Sequence, residues 1–118
     1  MTQYPQNVGK IGENKASLYL KANGFSVLKK NFRSKQGEID IVAKKDKTVY
    51  FIEVKTRTNL SKGYPYEAVD KRKIIHLKKA AQYFLLKSPL KAYKLKIGVI
   101  SIILENGKEI IKFYDDLE

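Results

Sequence analysis

A chain of 118 residues, 43% of them hydrophobic, has the length of one compact domain with one core, expected to span 1–118 without a metal or disulfide staple. With no cysteine, zinc ribbons, disulfide scaffolds, thiol nucleophiles and iron–sulfur clusters are excluded, and a single histidine, His76, excludes His-rich zinc and copper sites, so any metal would be held mainly by oxygen. Twenty-four Lys and Arg against twelve Asp and Glu leave a formal charge of +12, the footprint of a polyanion-binding domain, although only three of the 24 are Arg (Arg33, Arg57, Arg72) and a lysine-rich surface also serves solubility.

The stretch Met1 to Lys10 has no apolar leader core, and no run approaches the ~18 apolar residues of a membrane span, so the expected compartment is the cytoplasm with no membrane partner. The first helical pattern runs from about Val8 to Asn23 and stops at Gly24, with Gly9, Glu13, Ala16 and Leu20 along one side. Phe25 to Phe32 reads as a short strand. Gln36 to Lys44 and Thr48 to Arg57 read as two longer strands around a tight turn at Asp46-Lys47. Asn59 to Tyr66, with Gly63 and Pro65, reads as a loop. From Glu67 to about Lys87 the apolar residues recur with helical period, and Pro89 follows. Lys94 to Leu104 is an apolar strand, Asn106-Gly107 a type I′ hairpin signal, and Glu109 to Tyr114 the returning strand. The order α-β-β-β-α-β-β predicts an α/β fold, a mixed sheet of about five strands flanked by helices.

A two-residue turn at Asp46-Lys47 pairs Ala43 with Tyr50, Ile41 with Ile52 and Ile39 with Val54 on one wholly apolar face, which must be buried. The other face pairs Val42 with Phe51, Asp40 with Glu53, and Glu38 with Lys55. Two carboxylates directly opposite have Cβ atoms ~5 Å apart, a repulsion that a divalent cation taking an oxygen from each would relieve. Lys55, on the same face, adds a cation where negative charge or an attacking water would sit. The alternative is a solvated hairpin face in which Lys55 pairs with Glu38 or Glu53 and nothing binds.

The strings Gly37-Glu38-Ile39-Asp40 and Phe51-Ile52-Glu53-Val54-Lys55-Thr56-Arg57 closely resemble the signature of the UPF0102/YraN family of predicted nucleases, in the PD-(D/E)xK superfamily. Gly12-Glu13 with Ala16 and Tyr19-Leu20, Asn31-Phe32-Arg33, and Ala68-Val69 with Lys73 extend the resemblance over nearly the whole chain. The resemblance implies a restriction-endonuclease-like fold akin to archaeal Holliday junction resolvases. It implies Mg²⁺ or Mn²⁺ ligation by Asp40 and Glu53, a water-positioning role for Lys55, and an additional metal-binding carboxylate, Glu13, from the first helix. Lys73, Arg57, Arg33 and Lys71 are the expected nucleic-acid contacts, and a homodimer is implied by analogy with resolvase-like relatives. Gly98 stands where such relatives often carry an acidic residue. His76 reads as a surface or half-buried residue without a catalytic role.

Three functions compete. A metal-dependent nuclease acting on DNA rather than RNA, with branched or junction DNA as the candidate substrate, leads. A non-catalytic nucleic-acid-binding module of the same fold is the alternative, and an adaptor using Ile75 and Leu86 as an exposed apolar patch is the third.

Overall fold

Helix α1, Val8–Ala22, ends where its chemistry allows: Asn23 is the C-cap and Gly24 adopts φ +86°. The Phe25 N–H then bonds the Leu20 carbonyl at 2.9 Å and the Gly24 N–H the Lys21 carbonyl at 3.2 Å, a Schellman closure. These coordinates come from a computed structural model, which describes residues 7–61, 63–90 and 94–117. Residues 1–6, part of the stretch read for a leader, lie outside the described residues.

Three antiparallel strands follow, β1 (Ser26–Ser34), β2 (Gly37–Lys45) and β3 (Thr48–Arg57). A short 3₁₀ turn, Pro65–Ala68, precedes helix α2, Lys71–Lys87, and the chain ends in β4 (Lys94–Glu105) and β5 (Lys108–Tyr114). The element order is the expected one, and the strands form a single sheet in the order β1-β2-β3-β4-β5, parallel only between β3 and β4. At the β4–β5 turn Asn106 and Gly107 take φ +52° and +74°, both positive as a type I′ turn demands.

A helix boundary and a helix face differ from expectation. The second helix starts at Lys71 rather than Glu67, because Asp70 is its N-cap and accepts the Lys73 N–H at 3.0 Å, while Glu67 serves the preceding 3₁₀ turn by accepting the Tyr64 N–H. On α1 the buried stripe is Gly12, Ala16, Ser17 and Leu20; Gly9 is exposed, and Glu13 sits half-buried at the stripe's edge.

The sheet is covered on both faces. Ala16 and Leu20 of α1 pack with Ile41, Ile52, Ile100 and Ile102 on one side, and Leu77, Ala80 and Phe84 of α2 pack with Ile39, Val42, Phe51 and Ile97 on the other. The expectation that Ile39 shares a face with Ile41 and Val54 is therefore corrected: Ile39 faces α2, and the other two face α1. The alternation slips beside Asn31, whose φ of +54° kinks β1 between Lys30 and Phe32, the partners of Ile41 and Ile39. Among the described residues no helix is long and apolar enough to cross a membrane.

Gly12 sets how closely α1 lies on the sheet. A Cβ there would stand 1.8 Å from Thr56 Oγ1 and 2.9 Å from Thr56 Cβ, and a β-branched strand residue has little freedom to yield. Gly12→Ala is expected to lower stability by about 1–3 kcal/mol, the usual cost of overpacking. Urea unfolding measures it as a lower midpoint at unchanged slope.

Candidate active site

The register about Asp46-Lys47 is the expected one from Lys45↔Thr48 to Ile41↔Ile52, and there the β2–β3 ladder ends. Beyond it Asp40 does not face Glu53 as a paired residue. Its Oδ2 instead accepts the backbone N–H of Val54 at 2.8 Å, so a side chain closes the hydrogen bond that a neighbouring strand would otherwise make.

Glu53 lies one residue earlier on β3 and on the α2 side, 7% exposed. A carboxylate this deep needs partners. Among the described residues it has two: Lys73 Nζ, from the first turn of α2, lies 3.4 Å from Glu53 Oε2, and Lys55 Nζ lies 3.5 Å from the same oxygen. The expected pairing of Lys55 with Glu38 is corrected, since the strands have already parted; Glu38 pairs with Arg33 across β1–β2 at 3.3 Å, both well exposed.

Asp40, Glu53 and Lys73 thus line one cleft of about 160 Å³, together with Gly37, Glu38, His76 and Leu77. Lys55 stands beside it through Glu53. Arg57, two residues further on the same face of β3, is half-buried, and its Nε has no hydrogen-bond partner among the described residues. Arg33 reaches the cleft's rim only through Glu38, and Lys71 is exposed at the start of α2 without lining the cleft. Glu13 does not line it either. Among the described residues no three Asp, Glu or His side chains converge as a metal cluster.

His76 is exposed, as expected, yet it forms part of the cleft wall. Its position three residues after Lys73, on the same side of a helix, was the available signal. Gly98 pairs with Ile52, on the face opposite the cleft, and a Cβ there would meet the Phe113 ring at 2.9 Å and the Tyr114 carbonyl at 3.0 Å. The missing carboxylate at this position therefore takes nothing from the cleft wall.

Burial pushes the Asp40 carboxyl up to about 7, helped by the charges of Glu53 and then Glu13, against the lowering effects of the Val54 N–H and Lys55. Anions crowded into a poorly solvated place fit a hard cation. Asp40 and Glu53 are the residues that would hold it.

Because the folded-state pKa exceeds the ordinary 3.8, folded Asp40 holds its proton more tightly than the unfolded chain does. Its contribution to stability is therefore fully present below pH ~4 and lost as pH rises from ~4 to ~7. Asp40→Asn keeps an oxygen for the Val54 N–H, so in chelator it should match the wild type near pH 4 and exceed it by about 1–3 kcal/mol at pH 8, allowing for partial solvent screening. Thermal melts across that range measure this. Added Mg²⁺ or Mn²⁺ should raise the wild-type Tm at pH 8 and leave that of Asp40→Asn unmoved.

A mixed five-stranded sheet with a helix on each face and this hairpin defines the restriction-endonuclease-like fold. It superposes on the structure of Archaeoglobus fulgidus Hjc, a Holliday junction resolvase from an archaeal hyperthermophile, with a TM-score of 0.55 and 21% identity, over 87% of this chain and 72% of that one. Residues 12–102 match the profile of the uncharacterised protein family UPF0102. A UPF0102 protein of Persephonella marina is 39% identical, covering 91% of this chain and 92% of its own length. One from Chloroherpeton thalassium is 46% identical, covering 85% and 78%. The chain belongs to the UPF0102 family.

Proposed function

We propose that this protein is a metal-dependent nuclease that hydrolyses phosphodiester bonds of DNA, with branched or junction DNA as its substrate. The observation that carries the reading is the convergence of Asp40, Glu53 and Lys73 in one cleft, with Lys55 held on Glu53, inside a restriction-endonuclease-like fold. A divalent cation held by Asp40 and Glu53 would supply Lewis-acid polarisation of the scissile phosphate. Val54 fixes the Asp40 carboxylate through its N–H, so the ligand is oriented before anything binds. Lys55 presents an ammonium donor beside Glu53, suited to orient water and to stabilise the charge that builds on five-coordinate phosphorus. Lys73, 43% exposed on its side chain, is placed at the cleft mouth to bind a phosphate by charge. The net charge of +12 supplies sequence-independent affinity, and a cytoplasmic homodimer is the working assembly in this reading.

A non-catalytic nucleic-acid-binding module is the second reading. It is favoured by the two lysines that already neutralise Glu53. Incubating the protein with Mg²⁺ or Mn²⁺ on branched, flapped, single-stranded and duplex DNA, and on RNA, separates the two. Cleavage abolished by chelator is expected, whereas binding without cleavage of any of these moves the assignment to the module.

Lys55→Ala should lower turnover by about 10²–10³, the loss of one well-placed electrostatic donor, while DNA binding persists. Binding itself should weaken steeply with salt, with a log–log slope of several units if several phosphates are contacted, measured by fluorescence anisotropy.

A further inference from the structure

The sheet face that carries Glu53 and Lys55 does not end at β3. Its rows continue across the parallel step: Glu53 lies beside Val99 and then Tyr114, and Lys55 beside Ser101 and then Lys112. Adjacent strands are ~4.8 Å apart, so β5 stands ~10 Å from β3, the strand that carries Glu53. Over this extension rests the 3₁₀ turn Pro65–Ala68, packed on β3 and β4, which brings two tyrosines with it.

Tyr64 and Tyr66 are stacked, with centroids 5.8 Å apart and planes 24° from parallel, and Tyr66 lies 5.5 Å from Tyr114. These three rings, with Ser101, Ile103 and Lys112, line a groove of about 390 Å³. Tyr64 and Tyr66 remain 47% and 44% exposed, so large ring surface stays open to a ligand instead of being spent on the core. Arg57 pairs with Ile103 of the groove's lining and carries a buried Nε without a partner among the described residues. Aromatic faces, a lysine at the wall and an arginine on the strand position beside Ile103 are the parts that take a base by stacking and its phosphate by charge.

We propose that this groove binds an unpaired nucleobase of a strand whose neighbouring phosphate enters the Asp40–Glu53 cleft. The proposal rests on the nuclease reading and narrows its substrate to nucleic acid with unpaired nucleotides beside the cut, because a base held in a duplex cannot lay its face on these rings. The occupant is a polyanion rather than a second copy of this chain, since Lys112 lines the groove and the whole molecule carries +12.

The test is binding of labelled oligothymidylate and of a blunt duplex to the full chain in chelator, so that no cleavage is needed. Tyr64→Ala/Tyr66→Ala should weaken oligothymidylate binding about 10- to 100-fold and leave duplex affinity unchanged, and Tyr64→Phe/Tyr66→Phe should restore it. Lys112→Glu, a surface change that does not threaten folding, should weaken the same interaction. Equal binding by wild type and both variants, with melting temperatures unchanged, overturns the proposal, as does an equal loss for single strand and duplex. A change from dimer to monomer in the alanine variant, seen by sedimentation, overturns it in favour of a self-interface. If oligothymidylate binding falls as expected yet the wild type cuts nothing with Mg²⁺ or Mn²⁺, the base site stands and the nuclease reading falls. Metal-dependent cleavage unaffected by the tyrosine changes has the opposite meaning.

Discussion

Where β2 and β3 part, the Val54 N–H takes Asp40 Oδ2 in place of a strand carbonyl, 2.8 Å away. Much of the layout follows from that bond. It anchors an anionic side chain inside the sheet, where a buried backbone donor has to be satisfied by something. It coincides with the slip of the apolar alternation, so that Ile39 joins the α2 layer while Ile41 stays with α1, and both remain fully buried. The opening that results is the cleft, with Leu77 and Lys73 of α2 on one wall and Asp40 and Glu53 on the other.

The electrostatics of the two carboxylates are unequal for reasons visible in their neighbours. Glu53 is the deeper and is met by two ammonium groups on one oxygen. Asp40 is met by a neutral N–H, and the charges of Glu53 and Glu13 bear on it against that of Lys55. A structure that keeps such an arrangement retains an uncompensated cost in its own stability. A cation held by these carboxylates would relieve that cost, which links it to the function proposed for the site.

The parallel β3–β4 step has a second consequence. The crossover from β3 to β4 must return along the face that α2 covers, and α2 packs chiefly over β2, with lighter contact to β1, β3 and β4. The outer part of that face, over β4 and β5, is left to the 3₁₀ turn and its tyrosines. Carboxylates, lysines and aromatic rings therefore lie in sequence across one surface, though they are far apart in the chain.

Local rules carried the reading of the sequence a long way. The Asp46-Lys47 turn set the hairpin register through Ile41↔Ile52, Gly24 and Asn106-Gly107 marked a helix end and a hairpin turn, and the element order with its apolar strands specified a mixed α/β sheet. The Gly37-to-Asp40 and Phe51-to-Arg57 strings pointed to Asp40, Glu53 and Lys55 because those residues must share one hairpin. Other features depend on contacts between elements distant in sequence. The left-handed Asn31 against Asp40, the capture of Glu53 by Lys73 from another layer, the rotation of α1 that seats Gly12 on Thr56, and the meeting of Tyr64 and Tyr66 with Tyr114 leave no periodic trace. Turn type and periodicity are properties of neighbouring residues and are written in the chain itself; the side on which a charge finds its partner is decided only when the layers close.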